Sequence, residues 1–416
     1  MKKTVKLSVV NGEVSAPASK SMAQRAIAIA SLCKGKTVLT NYTSCEDSEA
    51  ALENIQKLGA RVEKRGNILE ITGGGKILSH VLHCGEAGLG IRMFTPIVAA
   101  LSRHPVTLTG KGSLLNRPVD MMEKPLITLG AKVTTRNGYI PITVKGPITG
   151  GSVVIDGSSS SQFLTGLLIA LPLAQKDSII EVKNLKSKPY IDMTLEIIQH
   201  FGVSIQHDNY EHFYIKSNQE YKSGEYSIEG DWSGASFLLV AGAITGNISV
   251  NNLRIPSLQA DYAILDALRK ANANIIINDN RVTVKKSELR PFTFDATDCP
   301  DLFPPLAVLA AYAPGVSVIK GISRLLHKES NRAETIKKEF HKIGVAIELL
   351  DDTMYIHGGN IKGADVFSHN DHRIAMAMTI AALGAVGNMI IDNAECLNKS
   401  FPEFYKIIES VGANIE

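Results

Sequence analysis

The hydrophobic pattern of the chain repeats six times. In each copy a short polar or glycine-rich opening leads into a nearly continuous apolar run of helical length, as in SKSMAQRAIAIASL at residues 19–32 and GEAGLGIRMFTPIVAAL at residues 85–101. Similar stretches begin at Gly157, Gly230, Asp298 and Ser368. A helix that is apolar on all sides belongs in the middle of a core. The pattern therefore predicts six buried helices, each beginning at a polar or charged end.

A second helix follows each apolar run, after a short β-branched segment such as KTVLTN or VSVIKGI. These second helices are amphipathic; in the first, Leu52, Ile55 and Leu58 have the spacing of one helix face. Each ends in a related string such as LGARV, LGAKV or VGANI, and the aligned positions are Gly59, Gly130, Gly202, Asn272, Gly344 and Gly412. The steps between them are 71, 72, 70, 72 and 68 residues. Steps this regular argue against coincidence, and they are too long for a solenoid unit. The sequence predicts a small α/β unit repeated six times.

The length of 416 residues fits two domains of three repeats, because three repeats make a unit of about 210 residues, an ordinary domain size. We expect the boundary near the polar stretch QHDNYEHFYIKSNQEYKSGEYS, after the third repeat. A hydrophobic content of 44% and a charged content of 20% are typical of a soluble globular protein.

Charge and cysteine content exclude several classes of protein. A formal net charge of +3 is too small to indicate a nucleic-acid partner. The longest apolar helix, residues 374–386, is shorter than the roughly 20 residues of a membrane span, and MKKTVKLSVV has too short an apolar run for a signal peptide. The cysteines are odd in number and lack paired metal-ligand spacing, which predicts no disulfide framework, no metal site and a cytoplasmic protein. They are Cys33, Cys45, Cys84, Cys299 and Cys396.

Eight cations stand out, and most of them lie at or just before a predicted helix start, where the helix dipole disfavours them. They are Lys20, Arg25, Arg92, Arg117, Lys328, Arg332, Arg373 and Lys399. A ligand with several negative charges would explain this placement, because helix N-termini also present free N–H groups to anions. Plain helix capping is the alternative for any single copy. Asp301 and Glu329 occur among the same cations, and each can be a general base or a counter-ion.

Several strings in order along the whole chain resemble the 5-enolpyruvylshikimate-3-phosphate synthase family. They are SKSMAQRA, LLNRPVD, SSSSQFLTGLLIALPL, SKPYIDMTL, HKESNR, NDHRIAMAM and NKSFPEF. The resemblance implies an α/β fold of two domains, each of three βαβαββ units, with helix N-termini facing an interdomain cleft. We accordingly expect one domain of residues 1–18 plus 229–416, closed by the N-terminal strand, and a second of residues 19–228. The implied reaction transfers the enolpyruvyl group of phosphoenolpyruvate to the 5-hydroxyl of shikimate 3-phosphate and releases phosphate.

The resemblance also implies roles for matching positions. The shikimate 3-phosphate site would contain Lys20, Ser21, Arg25, Ser160, Ser161, Gln162, Ser187, Asp301 and Lys328. The phosphoenolpyruvate site would contain Lys20, Gly88, Arg117, Gln162, Arg332, Arg373 and Lys399. Asp301 would take the proton of the 5-hydroxyl, Glu329 would deliver one to the methylene carbon, and Lys20 would complete the catalytic set. We expect a monomer that binds these two small anions without cofactor or metal, and that binds neither nucleic acid nor membrane.

The sequence departs from the family pattern at a few positions. The loop GEAGLGIRM has Glu86 where the family usually has an amide, and HKESNR has Asn331 where it usually has an acid. Arg324 stands where an asparagine is frequent, and it is left out of the predicted site. Glu86 could pair with Arg92 as a structural charge or compete with substrate for Arg117.

Three other functions are alternatives to this one. A UDP-N-acetylglucosamine enolpyruvyl transferase typically carries a cysteine in the loop before RPVD, and TGKGSLLN has none. An RNA-end-modifying relative would require a basic stripe, which this nearly neutral sequence lacks. A non-catalytic anion-binding protein has no need of both Asp301 and Glu329.

Overall fold

The apolar runs form helices and the β-branched runs form strands in a computed structural model, which describes residues 1–326 and 328–416. The α-helices of these residues are α1 (Lys20–Leu32), α2 (Glu46–Lys57), α3 (Gly88–Leu101), α4 (Glu123–Thr128), α5 (Gln162–Ala170), α6 (Lys188–His200), α7 (Trp232–Thr245), α8 (Ile264–Lys270), α9 (Phe303–Ala311), α10 (Arg332–Lys342), α11 (His372–Ala382) and α12 (Phe404–Ser410). Short 3₁₀ turns occupy Gly112–Asn116, Asp120–Met122, Leu171–Leu173, Ala260–Ala263, Pro300–Leu302, Ile322–Leu325 and Ala394–Lys399.

The strands are short. They are β1 (Lys2–Lys6), β2 (Asn11–Ser15), β3 (Gly35–Thr40), β4 (Arg61–Arg65), β5 (Ile68–Gly73), β6 (Val81–His83), β7 (Val106–Thr109), β8 (Lys132–Arg136), β9 (Tyr139–Lys145), β10 (Gly151–Asp156), β11 (Ser178–Lys183), β12 (Ile205–Asp208), β13 (His212–Ile215), β14 (Glu225–Ser227), β15 (Asn247–Asn251), β16 (Asn274–Asn278), β17 (Arg281–Lys285), β18 (Thr293–Asp295), β19 (Gly315–Lys320), β20 (Ala346–Leu350), β21 (Thr353–Gly358), β22 (Asp365–Phe367), β23 (Met389–Asp392) and β24 (Asn414–Ile415).

Six four-stranded sheets, all of one design, are formed by these strands. In β6-β7-β9-β8, for example, β6 and β7 are parallel and the other two pairs are antiparallel. Parallel neighbours need a long crossover, and the buried helix supplies it: α3 lies between β6 and β7 in the chain. The same order recurs in β10-β11-β13-β12 and β18-β19-β21-β20. The prediction of six repeated α/β units is confirmed.

The remaining sheets are completed by segments that are distant in sequence. β14 pairs in parallel with β3, and β2 pairs in parallel with β15. β1 lies between β23 and the C-terminal strand β24 and is antiparallel to both. The chain therefore forms two compact units, which we call the terminal unit, Met1–Pro17 with Glu229–Glu416, and the inserted unit, Ala18–Ile228.

The first helix of each repeat is buried. Every residue of α7 from Trp232 to Thr245 is buried, and it packs with α9 and α11 in the core of the terminal unit. In the inserted unit α3 packs closely on α5; a methyl group on Gly166 would lie 2.6 Å from Cγ of Pro96 and 2.7 Å from the carbonyl oxygen of Arg92. Each large apolar side chain that is fully buried here stabilises the fold by about 1.5–3 kcal/mol. Among the described residues, no helix combines the length and the apolar character that a membrane crossing requires.

Candidate active site

The N-terminal end of α1 carries Lys20 and Ser21 in the inserted unit. Nζ of Lys20 lies 2.8 Å from Oδ2 of Asp47, in the first turn of α2. The Lys20 side chain is 16% exposed and that of Asp47 is 4% exposed. The ammonium group is therefore held at the helix start by a buried carboxylate, which fixes the position of a cation that the dipole of α1 would disfavour.

Arg25 lies one turn further into the same helix and is buried. Its Nη1 donates to the carbonyl oxygen of Ser21 at 2.7 Å, its Nε to Oγ1 of Thr194 at 2.8 Å, and its Nη2 to Oγ1 of Thr165 at 3.3 Å. These contacts tie together α1, α5 and α6. No carboxylate of the described residues forms an ion pair with Arg25. Burial lowers the pKa of its guanidinium to about 10, although Tyr190 and Tyr226 partly offset this. A desolvated cation without a counter-ion favours an incoming anion.

A second cluster surrounds Gly88, the first residue of α3. A methyl group on Gly88 would lie 2.6 Å from Nη1 of Arg117, 3.1 Å from Nη1 of Arg92 and 3.4 Å from Oε1 of Gln162. Arg92 donates from Nη1 to Gln162 at 3.1 Å and from Nη2 to the carbonyl oxygen of Pro118 at 2.9 Å. Burial, and then the charge of Arg117, lower the pKa of Arg92 to about 10. Two guanidinium groups and a helix N-terminus thus meet where only glycine leaves room for a ligand.

Glu86 stands beside this cluster. Its Oε2 accepts hydrogen bonds from the backbone N–H of Ser113 at 3.0 Å and from the Ser113 hydroxyl at 2.8 Å. The hydrogen bonds of Arg92 go to Gly88, Gln162 and Pro118, so the expected alternative of a Glu86–Arg92 pair is not found in the described residues. The carboxylate instead ties the loop before α3 to the turn Gly112–Asn116.

The other polar residues predicted in the inserted unit lie at helix starts. Ser161 precedes α5 and Gln162 begins it; the N–H of Gln162 donates to Oγ of Ser160 at 3.2 Å. Ser187 precedes α6 with a left-handed φ of 59° and is buried. Because Arg25 bridges α1, α5 and α6, and Arg92 bridges α3 and α5, the N-terminal halves of these helices lie together.

Arg332 is the centre of the cluster in the terminal unit. It begins α10, and its side chain has no exposed surface. Its Nε donates to Oδ2 of Asp371 at 2.9 Å and its Nη2 to Oδ1 at 3.2 Å. Its Nη1 donates to Oδ1 of Asp301 at 2.9 Å and its Nη2 also to Oε2 of Glu329 at 2.6 Å. Burial alone would lower the pKa of Arg332, but the carboxylates of Asp371, Glu329 and Asp301 outweigh burial and raise it.

Asp301 accepts from three cations. Nζ of Lys328 lies 3.1 Å and Nη1 of Arg332 lies 2.9 Å from its Oδ1, and Nη2 of Arg373 lies 3.1 Å from its Oδ2. Burial alone would raise the pKa of Asp301, and Arg373, Lys328 and Arg332 hold it well below its usual range. Burial lowers the pKa of Lys328, against the pull of Asp301. In this arrangement the carboxylate is ionised and is a weak base.

Arg373 and Lys399 complete the predicted set. Arg373 lies in the first turn of α11, whose N-cap Asp371 accepts from the N–H of Arg373 at 3.0 Å. Nη1 of Arg373 donates to Oγ of Ser233 at 2.5 Å. Lys399 is buried in the turn Ala394–Lys399, which packs against α11.

The predicted residues lie around Lys20 and Gly88 in the inserted unit and around Arg332 in the terminal unit, and these sites contain further residues that sequence reasoning did not assign. Arg92 is one of the eight cations that the sequence indicates, but the resemblance assigns it to neither substrate. The position of Asp371 could have been recognised from the sequence, since an aspartate at the start of an apolar helix is a typical N-cap. Nothing in the sequence indicated that Asp47 would pair with Lys20, or that Thr194 would bind Arg25. The described residues contain no group of three or more His, Cys, Asp or Glu side chains that could hold a metal ion.

Six repeated α/β units with cations at helix N-termini characterise a class of protein that is also represented among solved structures. The fold matches EPSP synthase from Acinetobacter baumannii with a TM-score of 0.84 and 24% identity, over 100% of this chain and 99% of that chain. The family model described as EPSP synthase (3-phosphoshikimate 1-carboxyvinyltransferase) matches residues 5–408. Relatives named 3-phosphoshikimate 1-carboxyvinyltransferase include one from Clostridium novyi, 40% identical over 98% of this chain and 97% of the relative. Another, from Methanococcoides burtonii, is 39% identical over 100% of this chain and 99% of the relative. The chain belongs to the EPSP synthase family.

Proposed function

We propose that this protein transfers the enolpyruvyl group of phosphoenolpyruvate to the 5-hydroxyl of shikimate 3-phosphate and releases inorganic phosphate. The observation that carries the proposal is the concentration of buried cations at helix starts in a chain of this family. Both substrates are small polyanions, and guanidinium groups bind carboxylate and phosphate through two oxygens at once. We further propose that the terminal and inserted units are the two domains of a monomeric cytoplasmic enzyme that needs no cofactor, metal, nucleic acid or membrane.

Each substrate has a proposed set of ligands. We assign shikimate 3-phosphate to Lys20, Ser21, Arg25, Ser160, Ser161, Gln162, Ser187, Asp301 and Lys328. We assign phosphoenolpyruvate to Lys20, Gly88, Arg117, Gln162, Arg332, Arg373 and Lys399. The second assignment is supported by the space at Gly88, which the guanidinium of Arg117 and the amide of Gln162 border.

The proposed chemistry is an addition that gives a tetrahedral intermediate, followed by an elimination of phosphate. Asp301 removes the proton of the 5-hydroxyl as the hydroxyl oxygen bonds to C2 of phosphoenolpyruvate. Glu329 delivers a proton to the methylene carbon. The product is a tetrahedral intermediate. The carboxylate of Glu329, which has given up its proton in the addition, then takes a proton from the new methyl group as the C–O bond to phosphate breaks, and this restores the double bond; the proton held by Asp301 goes to the departing phosphate. Fixed cations, Lys20 among them, stabilise the developing charge with little reorganisation.

The ion pairs of Asp301 suggest when it becomes a base. Three cations lower its basicity in the absence of ligand. When the carboxylate and phosphate of phosphoenolpyruvate engage Arg332 and Arg373, these arginines interact less strongly with Asp301, and we expect its pKa to rise toward a useful value. Binding of phosphoenolpyruvate would then activate Asp301 as the base.

Phosphate release from phosphoenolpyruvate tests the proposal. We expect release with shikimate 3-phosphate as acceptor and none with UDP-N-acetylglucosamine. Lys20→Met should reduce turnover by at least about 100-fold, because it removes a charged contact to both substrates. Since Met removes the ammonium group that Asp47 contacts, Lys20→Arg serves as a second variant that keeps the charge and should fold with reduced turnover. Lys36→Met is the matched control, because Lys36 is an exposed lysine of the same unit that pairs with Glu70.

Turnover with UDP-N-acetylglucosamine in place of shikimate 3-phosphate would overturn the assignment. Full activity in a folded Lys20→Met variant would remove Lys20 from the catalytic set.

A further inference from the structure

Glu339 is a buried glutamate that the proposed reaction leaves without a role. It lies in α10, and its side chain has no exposed surface. Its Oε1 lies 2.8 Å from Nε2 of His369, and its Oε2 accepts from the backbone N–H of Phe367 at 3.0 Å and from Nζ of Lys342 at 2.7 Å. Because a carboxylate ion can only accept, Nε2 of His369 carries the proton. Of these three partners only Lys342 belongs to α10, so the other two bonds fasten the helix to a distant part of the chain.

Both distant partners lie in the segment 367–371, which runs from the end of β22 to the start of α11. The same segment ends in Asp371, whose carboxylate accepts from Nε of Arg332 at 2.9 Å and from its Nη2 at 3.2 Å. Arg332 and Glu339 are seven residues apart, which is about two helical turns, so their side chains lie on the same face of α10. That face therefore holds the segment at two points, by a cation at the start of the helix and by a carboxylate two turns later.

The backbone of the segment needs this support. His369 and Asn370 both have left-handed φ values, 54° and 56°. Residues with a side chain keep such a conformation only where the surrounding contacts compensate for its cost. The bond to Glu339 supplies part of this compensation at His369 itself. The conformation of these two residues in turn sets where Asp371, the next residue, lies.

Asp371 determines how the guanidinium of Arg332 is oriented. It binds Nε and Nη2, which form one edge of the group, and a contact at two donors fixes the plane of the guanidinium. Nη1 lies 2.9 Å from Oδ1 of Asp301, and this is the end of the guanidinium that phosphoenolpyruvate engages in the proposed function. A shift of Asp371 would turn that end away from the ligand.

We propose that Glu339 and His369 are positioning residues that keep Asp371, and through it Arg332, aligned for phosphoenolpyruvate. A ligand that engages Arg332 draws it away from Asp301 and also pulls on its bonds to Asp371. The attachment at Glu339, two turns further along α10, holds the segment while the first attachment is under this load. A guanidinium that is oriented in advance loses less entropy on binding. This role rests on the proposed function, in which Arg332 binds phosphoenolpyruvate.

Steady-state kinetics of three variants test the role of the segment. His369→Gly removes the bond to Glu339 and tolerates the left-handed φ. It should raise the KM for phosphoenolpyruvate about 5-fold, the value of one hydrogen bond, and change the KM for shikimate 3-phosphate by less than about twofold. His369→Gln keeps an N–H at the reach of Nε2 and should restore most of the affinity. Lys342→Met is the matched control, because it removes a bond to the same carboxylate that does not reach the segment, and it should leave both KM values unchanged.

Hydrogen exchange tests the same link without substrate. The backbone N–H of Arg373 donates to Oδ1 of Asp371 at 3.0 Å, so its exchange rate reports whether Asp371 keeps its position. His369→Gly should speed the exchange of this amide about 5-fold. His369→Gln and Lys342→Met should leave the exchange rate unchanged.

Four results would overturn this role. They are a His369→Gln variant as impaired as His369→Gly, a rise in the KM for phosphoenolpyruvate in Lys342→Met, an equal rise in both KM values in His369→Gly, and an unchanged exchange rate at Arg373 in that variant. If the unaltered protein releases no phosphate with shikimate 3-phosphate, the proposed function fails. The exchange rate of the Arg373 amide then decides by itself whether Glu339 and His369 position Asp371.

Discussion

Replacing Arg25 and Arg332 separately by methionine should affect stability very differently, although both arginines are buried. Arg332 is hydrogen-bonded to the carboxylates of Asp371, Asp301 and Glu329, and its removal takes the cation away from the fully buried carboxylate of Asp371. Arg25 is hydrogen-bonded to two hydroxyls and a backbone carbonyl. Its removal leaves no carboxylate without a counter-ion.

The magnitudes follow from these contacts. Burial lowers the pKa of Arg25 to about 10, which corresponds to about 3 kcal/mol against its charged form. Three hydrogen bonds to a charged group, worth about 1.5 kcal/mol each at the lower end of their range, are lost with the guanidinium, so the variant is destabilised by only about 1.5 kcal/mol. Arg25→Met should therefore lower Tm by about 3–6 °C. Breaking a buried ion-pair cluster costs about 3–5 kcal/mol, and Arg332→Met should lower the Tm of its unit by about 6–20 °C.

Differential scanning calorimetry of the two variants measures this contrast, and titration calorimetry with shikimate 3-phosphate provides the functional measurement. Arg25→Met should weaken binding by about 10- to 100-fold, the value of a charged hydrogen bond, while the protein stays folded. A decrease in Tm of more than about 10 °C for Arg25→Met, or an unchanged Tm for Arg332→Met, would refute the argument from counter-ions.

Three further predictions concern other parts of the chain. Burial opposes the ionisation of Glu339, but hydrogen bonds from Lys342 and His369 hold its pKa below the usual value. The ionised carboxylate therefore stabilises the fold above about pH 4.3, and this stabilisation is lost as the pH falls. Glu339→Gln should flatten the decrease in Tm between about pH 5 and pH 3, and an unchanged slope would contradict this. Gly88→Ala should raise the KM for phosphoenolpyruvate with Tm nearly unchanged, because the methyl group displaces the flexible end of Arg117; an unchanged KM would place the ligand elsewhere. Burial raises the pKa of all five thiols, so iodoacetamide at about pH 8 should spare phosphate release, whereas inactivation prevented by substrate would indicate a reactive cysteine in the site.

Sequence alone predicted the six repeats because each signal is local. The apolar helix, the β-branched strand and the amphipathic helix all fall within one period, and helix and strand periodicity are properties of consecutive residues. Helix starts were recognisable for the same reason, and they placed the cations near possible anion sites. The resemblance of short strings then connected those positions to a reaction, which the family match over residues 5–408 supports.

Only the tertiary structure decided which distant segments and charges meet. β3 acquires its parallel partner β14 from the far end of the inserted unit, and β1 joins strands from the end of the chain. Arg25 and Arg332 look alike in the sequence, each a cation near a helix start. Arg332 meets Asp371, 39 residues away, and Asp301, 31 residues away, whereas Arg25 meets only neutral groups. The strength of a charge interaction depends on separation in space and on burial, and neither quantity is a property of consecutive residues.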